Sequence, residues 1–395
     1  INRADRRSRR ALRKDKQDRA KGMILAAGQG TRVRPLTRDL PKPMVPILGK
    51  PVMEYLIEHL AAHDVRQLMV NTSHQAERIE QYFGDGRRFG VEIGYSFEGY
   101  LQDREIVPFA LGSAGGMRRI QDFSGFFDDT TLVLCGDALI DLDIGAAVAE
   151  HRARGALASV VTREVPWHEV SSYGVVVADR EGRIRSFQEK PAQNEARSNW
   201  ISTGIYIFEP AVLDLIPSNE VYDIGSQLFP RLVELNVPFH ALRHEFHWID
   251  IGRVADYWQA IQRVMRHEIP WIRIPGQETR PGVWTGLNVR IDPDVRISGP
   301  VYLASGCHVE SGCEIVGPAW IGHGCHVKRN ARIVRSVVFE HTRVVEGASF
   351  VDQIVYGDYC VSNDGETRCR HQLAEGADWS DARLREERAP APLAA

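Results

Sequence analysis

The sequence predicts an α/β protein in two parts: a domain on a mostly parallel sheet, then a parallel β-helix. Three observations predict it. Met23–Ala27 (MILAA) is a short apolar run that ends in Gly28 and Gly30, the pattern of a buried strand entering a tight turn. From there to about residue 250, strand-like runs alternate with helical patterns, which argues for a sheet covered on both faces. Beyond residue 289 an apolar residue recurs every six positions.

The elements follow in order. Pro51 to His63 places Val52, Tyr55, Leu56, His59 and Leu60 at helical spacing behind a proline. Gln67–Asn71 is a strand, Gln75–Phe83 a helix stopped by Gly84, and Val91–Phe97 a second strand. Leu111-Gly112-Ser113-Ala114-Gly115-Gly116 is a small-residue loop opening a helix, with Ser113 as the expected N-cap. Thr131–Cys135 is a continuous apolar strand running into Gly136-Asp137. Ala156–Thr162, Tyr173–Ala178, Ile201–Phe208, Phe239–Arg243 and Phe246–Ile251 are β-rich, and Glu181-Gly182 reads as a turn between strands. Val254–His267 is a closing helix.

The sixfold column runs Ile291, Ile297, Leu303, Val309, Ile315, Ile321, Val327, Ile333, Phe339, Val345 and Val351. Two residues before most of these stands a small or β-branched side chain: Val289, Val295, Val301, Cys307, Cys313, Ala319, Cys325, Ala331 and Val337. Each hexapeptide is one face of a coil with its column residue inward, and the stacked coils build a core that no single repeat could bury. This puts Cys307, Cys313 and Cys325 in packing, not in a metal site.

Composition is that of an ordinary globular protein, with 26% charged residues and no apolar run near the ~20 residues of a membrane span. The net charge of −3 hides nine Lys/Arg against three Asp in the first twenty residues, so the body is acidic. An acidic body repels a phosphate backbone and argues against nucleic-acid binding. The basic stretch 1–20 reads as a disordered arm without the apolar core of a secretory signal. Six cysteines without a C-x-x-C pair read as reduced thiols, so the expected location is cytoplasmic. Arg383–Ala395 reads as a frayed tail.

The chemistry gathers in the first third. The glycine turn lets several N–H groups face one anion, Arg32 adds a planar cation, and Lys42 a second between Pro41 and Pro43, which should hold that segment extended. Together these describe a polyphosphate cradle. It is neither a P-loop, since no G-K-[ST] follows, nor a dinucleotide fingerprint, since Val33 stands where the third glycine belongs. An acid at the carboxyl end of a buried strand, as at Asp137, asks for a neutralising cation.

The stretch LAAGQGTRVRPLTRDLPKPM resembles the signature of the sugar-1-phosphate nucleotidylyltransferases. The resemblance covers roughly residues 21–365. It implies a Rossmann-like mixed sheet in a nucleotidyltransferase domain over 21–268, a linker over 269–282, a left-handed parallel β-helix over 283–365 and a tail over 366–395. It implies nucleotide contacts from Leu25, Ala26, Ala27, Gly28, Gly30, Thr31, Arg32, Gly112 and Gly115, and Mg²⁺ held by Asp137 and Asp250. It implies sugar-phosphate contacts from Glu189, Lys190, Thr203 and Gly204, with Arg32, Lys42 and Lys190 as the catalytic cations. Ser202 stands where relatives usually have Asn, and Arg253 where Thr or Ser is frequent. The implied partners are an NTP and a sugar-1-phosphate, with no nucleic acid or membrane, and a homo-oligomer joined through the β-helix.

Within the family, ALGSAGGM, VSSYGVVV, TGIYIFEP and RPGVWTGLNV resemble the cyanobacterial-type glucose-1-phosphate uridylyltransferases. Mannose-1-phosphate guanylyltransferases share the cradle and the hexapeptide tail and form the alternative. From another class stand a non-catalytic regulatory subunit and a hexapeptide acyltransferase, for which His308, His323, His326 or His341 would be the base.

Overall fold

A computed structural model describes residues 20–102, 105–373 and 377–384. The basic stretch 1–19 and the residues beyond 384 lie outside them. By packing, the chain forms two units. Of the described residues, the first comprises 20–30, Leu40–Met44 and those within Val52–Ile249; the second comprises Thr31–Asp39, Val45–Pro51 and those from Asp250 to 384.

The first unit is a three-layer sandwich. Its strands are β1 (Lys21–Leu25), β2 (Gln67–Thr72), β3 (Glu92–Phe97), β4 (Thr131–Cys135), β5 (Ala138–Ile140), β6 (Ala158–Glu164), β7 (Gly174–Ala178), β8 (Ile184–Glu189), β9 (Trp200–Phe208), β10 (Phe239–Arg243) and β11 (Trp248–Asp250). The main sheet runs β8-β7-β9-β4-β1-β2-β3, with β6 against β9 and β10 against β6. Strands β4, β1, β2 and β3 are mutually parallel, while β9 is antiparallel to β4, β6 and β7. The expected parallel order therefore holds for one half only. Between β7 and β8 the chain has no crossover helix, only the Glu181-Gly182 turn, so these two strands pair antiparallel; β6 and β10 pair parallel.

Period-2 alternation divides the core. On β1, Ile24 packs with Leu56, Ile57 and Leu60 of helix α1 (Val52–Ala62), and Met23 on the opposite face packs with Ala114, Met117 and Ile120 of helix α2 (Ser113–Ser124). Both faces are dry, so after Lys21 the rest of β1 carries only glycine and apolar side chains. Among the described residues, no helix is long and apolar enough to cross a membrane.

The second unit is a three-sided parallel β-helix. One face stacks Val283–Thr285, Val301–Leu303, Ala319–Ile321, Val337–Val338 and Gln353–Tyr356; the other two stack four short parallel strands each, beginning at Arg290–Ile291 and Arg296–Ser298. Leu303, Val309, Ile315, Ile321, Val327 and Ile333 are fully buried, as the column requires. Cys307, Cys313 and Cys325 are buried beside them as free thiols, each donating to a backbone carbonyl of the following coil.

After Ile333 the column slips by one residue. Ile321 pairs with Val338, Val327 with Val344 and Ile333 with Phe350. Phe339, Val345 and Val351 therefore leave the inner column: Val345 and Val351 are each 38% exposed, and Phe339 packs on Trp320 and Tyr257 instead. The doublets Val338-Phe339, Val344-Val345 and Phe350-Val351 satisfy both registers, which is why spacing alone did not separate them. Helix α3 (Val254–Met265) lies on this unit, with Tyr257 donating to the Pro46 carbonyl at 2.7 Å. At the far end, Trp379–Asp381 pairs antiparallel with Thr342–Val344, and Trp379 is buried against Phe350.

Candidate active site

The carboxyl ends of β2, β1 and β4 are tied together. Leu25 lies opposite Asn71 and Cys135, and its carbonyl accepts the Gly136 N–H at 3.0 Å. The Ala26 N–H is donated to the Asn71 side-chain oxygen at 2.8 Å. Leu25, Ala26 and Ala27 are thereby fixed in the first unit, and Gly28 leaves the strand end exposed. In sheets of this kind ligands bind beyond this edge.

Asn71 also donates to Glu98 Oε1 at 2.7 Å, and Glu98 Oε2 accepts the Leu111 N–H at 3.0 Å. One buried carboxylate thus holds the signature loop through Asn71 and the glycine loop through Leu111. Burial pushes the Glu98 carboxyl above its ordinary range; the Asn71 and Leu111 donors oppose that. The sequence reading gave neither residue a role. The available signals were a polar residue at the end of β2 and an acid directly after β3.

Gly112 and Gly115 sit against the segment around Tyr222. Gly112 has φ of +76°, and a Cβ there would lie 2.6 Å from the Tyr222 carbonyl, so only glycine fits. The Gly115 N–H is donated to that same carbonyl at 2.8 Å and is engaged within the protein. Ser113 is not the N-cap: Gly112 precedes the helix without a side-chain cap. The Ser113 hydroxyl donates to Asp223 Oδ2 and accepts the Ile224 N–H, both at 2.8 Å. Burial would raise the Asp223 carboxyl, but hydrogen bonds from Ser226, Ser113 and Gly225 outweigh it and hold it below its usual range.

Lys42 and Asp137 form an ion pair, with side chains only 12% and 21% exposed. Asp137 reaches it from the turn after β4. Lys42 reaches it from a single 3₁₀ turn, Lys42–Met44, closed by the Met44 N–H on the Pro41 carbonyl at 2.8 Å. The segment is therefore not extended as expected: proline's fixed φ suits a 3₁₀ turn as well, and the missing N–H of Pro43 is not needed to close it.

Glu189 and Lys190 are exposed at the end of β8 and paired with each other. Lys190 has φ of +44°, an uncommon backbone state for a lysine. Thr203 faces inward: its hydroxyl donates to the Val161 carbonyl at 2.8 Å, and its carbonyl accepts the Trp248 indole N–H at 3.0 Å. Gly204 has φ of +74°, and a Cβ there would stand 2.8 Å from the Cys135 sulfur. The Ser202 hydroxyl accepts the Gly204 N–H at 3.3 Å.

Strands β5 and β11 form a separate two-stranded ribbon, clasped where His247 donates its N–H to Asp141 at 2.6 Å. Asp250 ends β11, half-buried. Thr31 and Arg32 are exposed on the 3₁₀ turn Thr31–Val33, which packs with the second unit, as does Arg253, paired to Asp256. The structure thus brings together Lys42 with Asp137, Glu189 with Lys190, and Gly204 with Cys135 of β4.

This strand-end edge, with its glycine turn and its acid–lysine pair, is the site of a nucleotide-handling α/β enzyme. Residues 21–267 match the family described as Nucleotidyl transferase, and the chain belongs to it. The chain is 56% identical over 366 residues to a UTP–glucose-1-phosphate uridylyltransferase from Synechocystis, covering 92% of this chain and 94% of that one. It is 28% identical over 310 residues to a mannose-1-phosphate guanylyltransferase from Mycobacterium tuberculosis, covering 74% and 82%. A crystal structure assigned as a glucose-1-phosphate thymidylyltransferase from Bacillus anthracis superposes with a TM-score of 0.52 at 26% identity, covering 61% of this chain and 94% of that chain.

Proposed function

We propose that this chain transfers a uridylyl group from UTP to glucose-1-phosphate, giving UDP-glucose and pyrophosphate. The observation that carries this reading is the 56% identity to the Synechocystis uridylyltransferase over almost the whole of both chains. The guanylyltransferase relative is half as similar and covers less of the chain.

A sugar-phosphate oxygen attacks the α-phosphorus, the bond to the bridging oxygen breaks, and pyrophosphate leaves. The attacking phosphate is ionised at neutral pH, so no side chain has to remove a proton. The barrier lies in bringing two polyanions together, and catalysis is by positioning and electrostatics. Leu25 to Thr31, with Gly112 and Gly115, bound the nucleotide; Arg32 and Lys42 hold its phosphates. The Lys42 ammonium rests on Asp137, and an arriving triphosphate competes with that carboxylate for it. Lys190 takes the sugar phosphate. Glu189 and the Gly204 backbone take the sugar, while the inward hydroxyl of Thr203 shapes β9 from behind.

Members of this family generally use a divalent metal. The donor set here fits a hard one: the Asp137 carboxylate is partly exposed at a strand end and already attracts a cation, and Mg²⁺ is usually held by one or two carboxylates plus substrate phosphates. We assign Mg²⁺ to Asp137, which precedes the first strand of the β5–β11 ribbon, and to Asp250, which ends the second. When bound, it supplies charge neutralisation at the phosphates. The free cysteines support a cytoplasmic enzyme, and the β-helix supports a homo-oligomer. Light scattering should give a multiple of the chain mass.

The test is pyrophosphate release from UTP, GTP, dTTP, ATP and CTP, each with glucose-, mannose-, galactose- and N-acetylglucosamine-1-phosphate. UTP with glucose-1-phosphate should be the fastest pair. A faster GTP–mannose pair would replace the assignment, and no release from any pair would leave a regulatory subunit or an acyltransferase.

A further inference from the structure

We infer that the β-helix carries a second metal site, for a divalent transition ion of the zinc class, made of His308, Glu310 and His326. Their ligand atoms all lie within 4.8 Å of one another, and they are the one such trio of metal-ligating side chains among the described residues.

The hexapeptide register builds this site. His308 and His326 are direct partners in adjacent parallel strands, one coil apart. Val309 and Val327, next in sequence, are fully buried, so the residues on either side of them face outward. Stacking brings the two imidazoles to 4.9 Å between ring centres, only 14° from parallel. Glu310, two residues beyond His308, returns to that face, and its Oε1 lies 2.7 Å from His326 Nε2. The three side chains are each less than two-fifths exposed, which limits the ordering a bound ion would require.

Two imidazoles and a carboxylate match zinc, cobalt or nickel; Mg²⁺ and Ca²⁺ prefer oxygen alone. Ligation would replace the His326–Glu310 hydrogen bond and draw the ligands in to about 2.0–2.2 Å from the ion. Supporting contacts exist: Glu310 Oε2 accepts the Arg329 N–H at 3.2 Å, and Asp292 stands 3.8 Å from His308 Nε2. One group competes. Lys328 Nζ donates to Glu310 Oε1 at 3.2 Å, the oxygen that also lies beside His326. An ion there would join two successive coils and should stabilise the unit in proportion to its occupancy.

The experiment uses the full chain, stripped with a chelator and returned to millimolar Mg²⁺ so that the catalytic carboxylates are occupied. Zn²⁺ is titrated by calorimetry, and Co²⁺ by its visible absorption, which reports nitrogen ligation. The parent should bind one equivalent that His326→Ala and His308→Gln each weaken at least tenfold, while Lys328→Met tightens it several-fold. Using both histidine variants guards against one that misfolds, and the Co²⁺ band should disappear in each. Equal Zn²⁺ affinity in parent and both histidine variants, or an unchanged Co²⁺ spectrum, would overturn the site.

Discussion

Asn71→Asp is the most informative single change at the strand-end edge. It is nearly isosteric and keeps an oxygen for the Ala26 N–H, so the signature loop retains its acceptor. What changes is the 2.7 Å contact with Glu98, where a donor becomes a second carboxyl oxygen in a site with both residues almost fully buried. Two charges at that separation, at an effective dielectric of 20, repel by about 6 kcal/mol. Keeping one carboxyl protonated at pH 7, some three units above an unfolded value near 4, costs about 4 kcal/mol at ~1.36 kcal/mol per unit. Protonation is the smaller cost, so the pair shares one proton. The sign follows: a carboxyl whose folded pKa is raised gives its full stability below the unfolded pKa and loses it as pH rises through the folded value. The variant should be about 4 kcal/mol less stable than the parent at pH 7, and about 1.4 kcal/mol closer for each unit towards pH 5. Urea unfolding at pH 5, 6 and 7 measures this. A deficit that is the same at all three pH values, or parental stability at pH 7, would rule out a shared proton between residues 71 and 98.

Two further perturbations test other parts of the account. Val338→Ala should cost about 1–3 kcal/mol in thermal unfolding of the β-helix, from lost methyl burial plus a cavity, whereas Val345→Ala should be nearly neutral; the reverse order would restore the unslipped column. His151 is fully buried between Ser159 and Glu209, and burial holds its pKa below the ordinary value despite the pull of Glu209. The stability it contributes is present above the unfolded pKa near 6.5 and is lost as pH falls towards the folded one, by at most about 1.4 kcal/mol per unit. His151→Gln should flatten that acid slope, and parallel pH profiles for the two proteins would contradict it.

The sequence carried the strands, helices and coils well because each has a period: β1 alternates between two dry faces, and the inner column repeats every sixth residue. It carried the charged side chains of the site because their types and local contexts are distinctive, as with Lys42 between prolines and Asp137 after an apolar strand. It was silent where a tertiary partner decides. Ser113 lost the cap because its hydroxyl oxygen accepts the N–H of Ile224, distant in sequence, instead of an N–H of its own helix. Lys42 entered a 3₁₀ turn because Pro41 supplies a carbonyl at the right place. Asn71 and Glu98 were invisible because neither belongs to a pattern, and only the fold sets one against the other. The slip after Ile333 was hidden by doublets that satisfy both registers.

On the proposed mechanism, Asp137 holds the ion that steadies the polyphosphate beside Lys42. Pyrophosphate release from UTP and glucose-1-phosphate, followed against Mg²⁺ concentration for the parent and for Asp137→Asn, tests it most directly. Turnover in the parent should depend on Mg²⁺ and fall by roughly 100- to 1000-fold in the variant, by analogy with the loss of one oxyanion donor, in a protein that still melts cooperatively. Parental turnover and unchanged Mg²⁺ dependence in the folded variant would contradict it.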